Sequence, residues 1–252
     1  MLNRIVHAEP TVRPPLVIAH GLFGSARNWG VIARRLSDER QVIAVDMRNH
    51  GTSPRSERHD YPAMADDLAE VIAAAGGMAD VTGHSMGGKA AMMLALRHPG
   101  LVRRLVVADI APVAYTHSQL PMIAAMRAVD LSAVTRRSEA EAQLAAQGVE
   151  RALQSFFTQS LDLAGRRWRL NLDALAAEMD KIMSFPRTDA RWDGPALFLS
   201  GGESDYVRSE HRPAIKALFP AARFARIPGA GHWLHADRPR EFEAAVRAFL
   251  NA

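Results

Sequence analysis

Short, almost uninterrupted apolar runs recur along the chain. Pro15-Leu16-Val17-Ile18-Ala19, Gln41-Val42-Ile43-Ala44-Val45, Leu105-Val106-Val107-Ala108 and Ala196-Leu197-Phe198-Leu199 are each of strand length. Ala79-Asp80-Val81-Thr82 reads the same way, and Arg223-Phe224-Ala225-Arg226-Ile227 is a less apolar version. A strand with water on one face alternates apolar and polar residues, whereas a run apolar throughout is covered on both faces, as in a parallel sheet. Between these runs lie helical stretches, at residues 64–75, 89–97 and 241–250. The last carries Phe242, Ala245, Val246 and Phe249 on one face. Strand and helix signals in alternation predict an α/β fold with a mostly parallel central sheet flanked by helices.

The alternation stops between about Pro112 and Phe185. Residues 120–129, 138–147, 149–161 and 172–183 read as successive helices, and no strand pattern separates them. A helical block between two strands of a parallel sheet is expected to cover the sheet's C-terminal edge, where ligands bind. The predicted organisation is therefore a core of residues 1–111 and 186–252 with a helical cap, or lid, of residues 112–185.

Composition narrows the function. The 252-residue chain has no cysteine, which excludes disulfides, thiolate metal sites and a thiol nucleophile. Its net charge of +4 is carried mainly by arginines, scattered in pairs such as Arg34-Arg35 and Arg136-Arg137 instead of forming one basic stripe. Nucleic acid is therefore not an expected partner. No apolar run approaches a membrane span. His7 and Glu9 interrupt the N-terminal segment, so no signal peptide is expected and a cytoplasmic protein is the simplest fit. No His-Glu-x-x-His or comparably dense ligand spacing occurs, so neither a metal nor another cofactor is expected.

The strongest chemical signal is Gly83-His84-Ser85-Met86-Gly87, between the strand ending at Thr82 and the helix starting near Lys89. A serine on a sharp strand-to-helix turn projects its hydroxyl above the sheet edge, and glycines two residues to either side remove the clashes of so tight a turn. The following helix aims its first N–H groups at the same point, favouring negative charge there.

With this stretch the chain resembles the α/β-hydrolase superfamily across nearly its whole length. Within it the resemblance is to the group of YbfF-like bacterial esterases and abhydrolase-domain-11 proteins. The matching segments are His20-Gly21-Leu22-Phe23-Gly24-Ser25, Asp46-Met47-Arg48-Asn49-His50-Gly51, Gly83 to Lys89, Asp109-Ile110-Ala111-Pro112-Val113 and Gly229-Ala230-Gly231-His232-Trp233. The resemblance implies an α/β-hydrolase fold and a cofactor-free serine hydrolase cleaving carboxylic esters or acyl thioesters through an acyl-enzyme on Ser85. Small-molecule acyl esters or thioesters are then the binding partners. Carbon–carbon bond hydrolysis, perhydrolysis, hydroxynitrile cleavage or receptor-like ligand binding are the alternatives on the same fold.

In this pattern His232 is the base, and the backbone N–H groups of Leu22 and Met86 form the oxyanion hole. The usual acid position of the fold falls on Asp205, whereas the YbfF-like group uses an aspartate corresponding to Asp109, with a serine corresponding to Ser204 in support. The subfamily pattern favours Asp109 and leaves Asp205 as the alternative acid. Phe23, Trp233, Phe156 and Phe157 are candidate substrate contacts, and Leu120, Met122 and Ile123 are expected to help shape the same pocket. Asp46 reads as a structural acid and His50 as a packing residue. His59, His98, His117 and His211 read as surface histidines, and Lys89 as a residue that caps or lines its helix.

Overall fold

The computed structural model describes residues 1–252. Its first half runs β1 (Arg4–His7), β2 (Leu16–Ala19), α1 (Gly30–Leu36), β3 (Val42–Val45), α2 (Tyr61–Ala73), β4 (Ala79–His84), α3 (Met86–Arg97) and β5 (Val102–Ala108). An inserted block follows: α4 (Leu120–Arg127), α5 (Arg137–Ala146), α6 (Arg151–Thr158), β6 (Leu161–Asp162), β7 (Arg167–Trp168), α7 (Leu172–Ala177) and α8 (Met179–Met183). The chain returns through β8 (Ala196–Gly201), α9 (Arg212–Leu218), β9 (Arg223–Ile227), α10 (Leu234–Asp237) and α11 (Pro239–Asn251).

Seven strands form one sheet in the order β1-β3-β2-β4-β5-β8-β9. All neighbours are parallel except β1, which runs antiparallel along β3. The apolar strands are buried on both faces. Val17, Ile43, Val107 and Phe198 point into the cluster that contains α2, α3 and the inserted helices. Leu16, Ile18, Val106 and Leu199, one position away, point into the cluster with α1 and α11. Period-two geometry thus divides each run between two cores. At the other end of the sheet, buried Asp80 in β4 accepts hydrogen bonds from Arg40 and Arg103. That pairing ties down the N-terminal ends of the strands and leaves the C-terminal ends for the site.

The inserted block departs from an all-helical reading. Leu161 pairs with Trp168 and Asp162 with Arg167 in a two-stranded antiparallel ribbon. Strands of two residues are too short to show alternation, which is why only helix was legible there. Helix α6 stops at Thr158, and the last helical stretch divides at Glu178 into α7 and α8. β1 also escaped the pattern, because an edge strand reading Arg-Ile-Val-His is only half-buried at alternate positions. The block shares one continuous apolar cluster with the sheet: Ile123, Leu144, Phe157 and Leu175 belong to the same core as Leu94 and Val107. It is also pinned to the core by polar bonds. Tyr61 donates to the Ile182 carbonyl, Lys89 Nζ to those of Met183 and Ser184, and the Asn171 N–H to that of Asn49.

Candidate active site

Ser85 is the single residue between β4 and α3, held at φ +52° and ψ −120°. Such a backbone costs about 1–3 kcal/mol for a non-glycine residue and persists only where the surroundings enforce it. They do so here by close packing. A Cβ on Gly83 would come within 2.2 Å of the Gly87 carbonyl oxygen, and one on Gly87 within 2.4 Å of that of Ala19. The motif's glycines are thus required by backbone passing against backbone.

His232 lies in the loop after β9, with Nε2 at 3.1 Å from Ser85 Oγ. Its Nδ1 donates to Asp109 Oδ2 over 2.8 Å. Asp109 follows β5 and is fully buried at φ +52°. The Gly201 N–H donates to its Oδ1 over 3.0 Å, and the Ser204 hydroxyl donates to Oδ2. These bonds fix the orientation of the carboxylate toward the imidazole. Asp205 is exposed, and its carboxylate makes no hydrogen bond or ion pair to the protein. The structure therefore brings Asp109, and not Asp205, to His232.

Two further residues to which the sequence assigned no role complete the surroundings of His232. The Tyr206 ring stacks on His232 at 3.9 Å between centroids. His84 Nε2 donates to the His232 carbonyl over 2.8 Å. Burial pushes His84 well below the ordinary histidine pKa, so it serves as a neutral donor.

The loop after β2 passes beside the serine. A Cβ on Gly21 would lie 2.8 Å from His84 Nδ1 and 3.2 Å from Ser85 Cβ. Two buried histidines, His20 and His50, hold the loop in place, and a third, His59, packs beside them. His20 donates from Nδ1 to the Gly21 carbonyl and accepts the Met47 N–H at Nε2. His50 accepts the Phe23 N–H at 3.1 Å and donates to the Arg48 carbonyl. His59 Nε2 points to the Met86 sulfur at 3.3 Å. Leu22 follows Gly21 in this loop, and Met86 is the first residue of α3, where an N–H has no earlier helical carbonyl to bond. The surface reading of His59 and His211 is corrected: both are buried, whereas His98 pairs with Asp66 near the surface and His117 is exposed. Asp46 accepts the Ala26 and Thr52 N–H groups and the Asn3 amide, all structural bonds.

Above Ser85 lies a cavity of about 260 Å³ between the C-terminal sheet edge and the inserted helices. Phe23, Trp233, Phe156 and Phe157 all line it. Leu120, Met122 and Ile123 do not: Leu120 is 44% exposed and Ile123 is buried in the core. Lys89 lines the cavity and caps not its own helix but the C-terminus of α8, because its place on α3, one turn after Ser85, brings Nζ to the Met183 and Ser184 carbonyls.

Comparison with known proteins agrees with this geometry. A family model described as the alpha/beta hydrolase fold matches residues 14–239. The chain is 44% identical over 248 residues to the mouse sn-1-specific diacylglycerol lipase ABHD11, covering 94% of this chain and 81% of that protein. It is 42% identical over 241 residues to esterase YbfF of Escherichia coli strain K12, covering 94% and 93% of the two chains. Among solved structures, a marine microorganism esterase superposes with a TM-score of 0.92 at 38% identity, covering 99% of this chain and 100% of that one.

Proposed function

The chain belongs to the α/β-hydrolase family, and we propose that it cleaves carboxylic esters, acyl thioesters included, through an acyl-enzyme on Ser85. The observation that carries this reading is the unbroken line of hydrogen bonds from Ser85 through His232 to Asp109, opening onto an apolar cavity. A serine hydroxyl is a weak nucleophile until a base removes its proton. His232 Nε2 takes that proton as Ser85 Oγ attacks the acyl carbon, and the Asp109 carboxylate stabilises the imidazolium that forms. The carbonyl oxygen becomes an oxyanion facing the Leu22 and Met86 N–H groups, fixed dipoles that need no rearrangement as charge develops. His232 then gives the proton to the departing alkoxide or thiolate, which leaves as the alcohol or thiol as its bond to the acyl carbon breaks. Water, deprotonated by the same nitrogen, attacks the acyl-enzyme, releases the acid and restores Ser85. Residues 112–185 act as the cap that closes the acyl pocket, and the cysteine-free composition fits a cytoplasmic setting.

Labelling with a fluorophosphonate tests the assignment. One equivalent should attach at Ser85, and Ser85→Ala should lose both labelling and p-nitrophenyl acetate turnover, by roughly 10⁴-fold or more in kcat. Stoichiometric labelling at another serine, with Ser85 unmodified, would overturn it.

A further inference from the structure

The cavity wall is lopsided in charge. Its lining contains no aspartate or glutamate, and its one lysine is Lys89. That side chain is 1% exposed, yet no carboxylate lies within ion-pair distance of it. Nζ donates to the Met183 carbonyl at 3.1 Å and to the Ser184 carbonyl at 2.7 Å, which satisfies two of its three N–H bonds. The rings of Tyr115 and Tyr61, with centroids 4.8 and 5.6 Å away, complete its surroundings. Both rings also line the cavity, and both hydroxyls are committed elsewhere: Tyr61 to the Ile182 carbonyl, Tyr115 to the Ala111 N–H and the Tyr206 carbonyl. Another part of the wall, where Phe23, Phe156, Phe157 and Trp233 neighbour one another, is aromatic and uncharged. A buried ammonium with no counter-ion is costly and invites one from a ligand.

We propose that Lys89 forms an anion subsite in the cavity, so that the preferred esters carry a carboxylate on the chain that reaches past Ser85 toward α8. The third N–H of Nζ is the donor, and the carboxylate is the counter-ion that the wall lacks. A substrate of this class is a monoester, or a thioester, of a short dicarboxylic acid. Lys89 is a specificity-determining residue here and takes no part in bond making.

Burial lowers the Lys89 pKa to about 7, with no neighbouring charge as a cause. The titratable groups around it are Tyr61 from α2, Tyr115 from the loop after β5, and His117 at the rim. Burial raises both tyrosines, so they stay neutral across the working range, and burial lowers His117. The ammonium is therefore present below about pH 7 and is lost as pH rises through that value. A bound carboxylate should hold the proton on, so binding above pH 7 takes up a proton.

The proposal rests on the serine-hydrolase reading only for which bond sits at Ser85, and its test needs no turnover. Monomethyl succinate, glutarate and adipate are titrated calorimetrically into the Ser85→Ala protein, each beside its dimethyl ester. At pH 6 at least one half-acid should bind roughly 10- to 100-fold more tightly than its diester, the range of a charge-assisted bond. At pH 8.5 that preference should shrink by roughly tenfold, and at pH 7.5 the heat should depend on buffer ionisation enthalpy. Adding Lys89→Met should abolish the preference; should that variant not fold, the pH series decides. Equal affinity for every acid and diester pair, or a preference unchanged by pH, would overturn the subsite. Failure of the hydrolase reading would appear separately, as absent fluorophosphonate labelling of the native chain.

Discussion

At the residue scale, the contest between two aspartates is the sharpest point. The imidazole needs a partner that fixes its tautomer, and Asp109 meets His232 Nδ1 at 2.8 Å from a fully buried position. Asp109→Asn should therefore cost roughly 10³–10⁴-fold in kcat, while Asp205→Asn, on an exposed side chain, should cost little. Steady-state kinetics on the two variants decides it, and a reversed order would give the role to Asp205. Ser204→Ala should be intermediate, about tenfold, because Asp109 keeps the Gly201 N–H and the histidine. Ser85 and His232 were legible because their glycine-rich contexts are local. For the acid, only the subfamily pattern favoured Asp109; spacing alone did not separate two aspartates that each follow a strand, and the closed sheet brings Asp109 to the histidine. Lys89 and Tyr206 carry no local signal, since their roles arise from what α8 and the loop after β8 bring against them.

At the scale of elements, the apolar runs revealed five strands of the sheet, because burial on both faces writes itself continuously into sequence. β9, at the sheet edge and mostly exposed, left the weaker run Arg223–Ile227. Pieces that carry little of the core were silent: the edge strand β1 and the two-residue strands β6 and β7. The inserted helices were legible, but not which of their faces meet the cavity, and Phe156 and Phe157 illustrate the difference. Both line the cavity. Phe157 is also 1% exposed and packs edge-on against Phe23 at 5.3 Å, whereas Phe156 is half-buried, with its ring 6.2 Å from that of Trp233. Phe157→Ala should lose about 3–5 kcal/mol of stability, read as a Tm lower by roughly 10 °C. Phe156→Ala should leave Tm nearly unchanged and shift the preferred acyl length upward in a p-nitrophenyl ester series. An unchanged length profile in Phe156→Ala, or an unchanged Tm in Phe157→Ala, would contradict this division.

At the scale of the whole molecule, the buried histidines set an acid limit on the fold. His20, His50, His59, His84 and His235 are all buried, and burial is the main cause that lowers each pKa. For His59 and His235 the value falls to about 3. Several are locked as neutral tautomers by their bonds. His20 and His50 each accept a backbone N–H at Nε2, so a proton there would set N–H against N–H. In the unfolded chain the same rings titrate near 6.5. Between that value and the folded pKa the unfolded state binds more protons. Stability is therefore full above pH 6.5 and falls as pH drops, by up to about 1.4 kcal/mol per pH unit for each histidine. Groups lowered in this way act together against a typical reserve of only about 5–15 kcal/mol. Urea midpoints followed by circular dichroism should stay level from pH 8 to 7 and drop steeply between pH 6.5 and 5. A level midpoint down to pH 5 would mean that these rings take up protons without unfolding. Two of these histidines, His20 and His50, bond to the Gly21–Phe23 loop beside Ser85, so protonating them would loosen the loop as well as the fold.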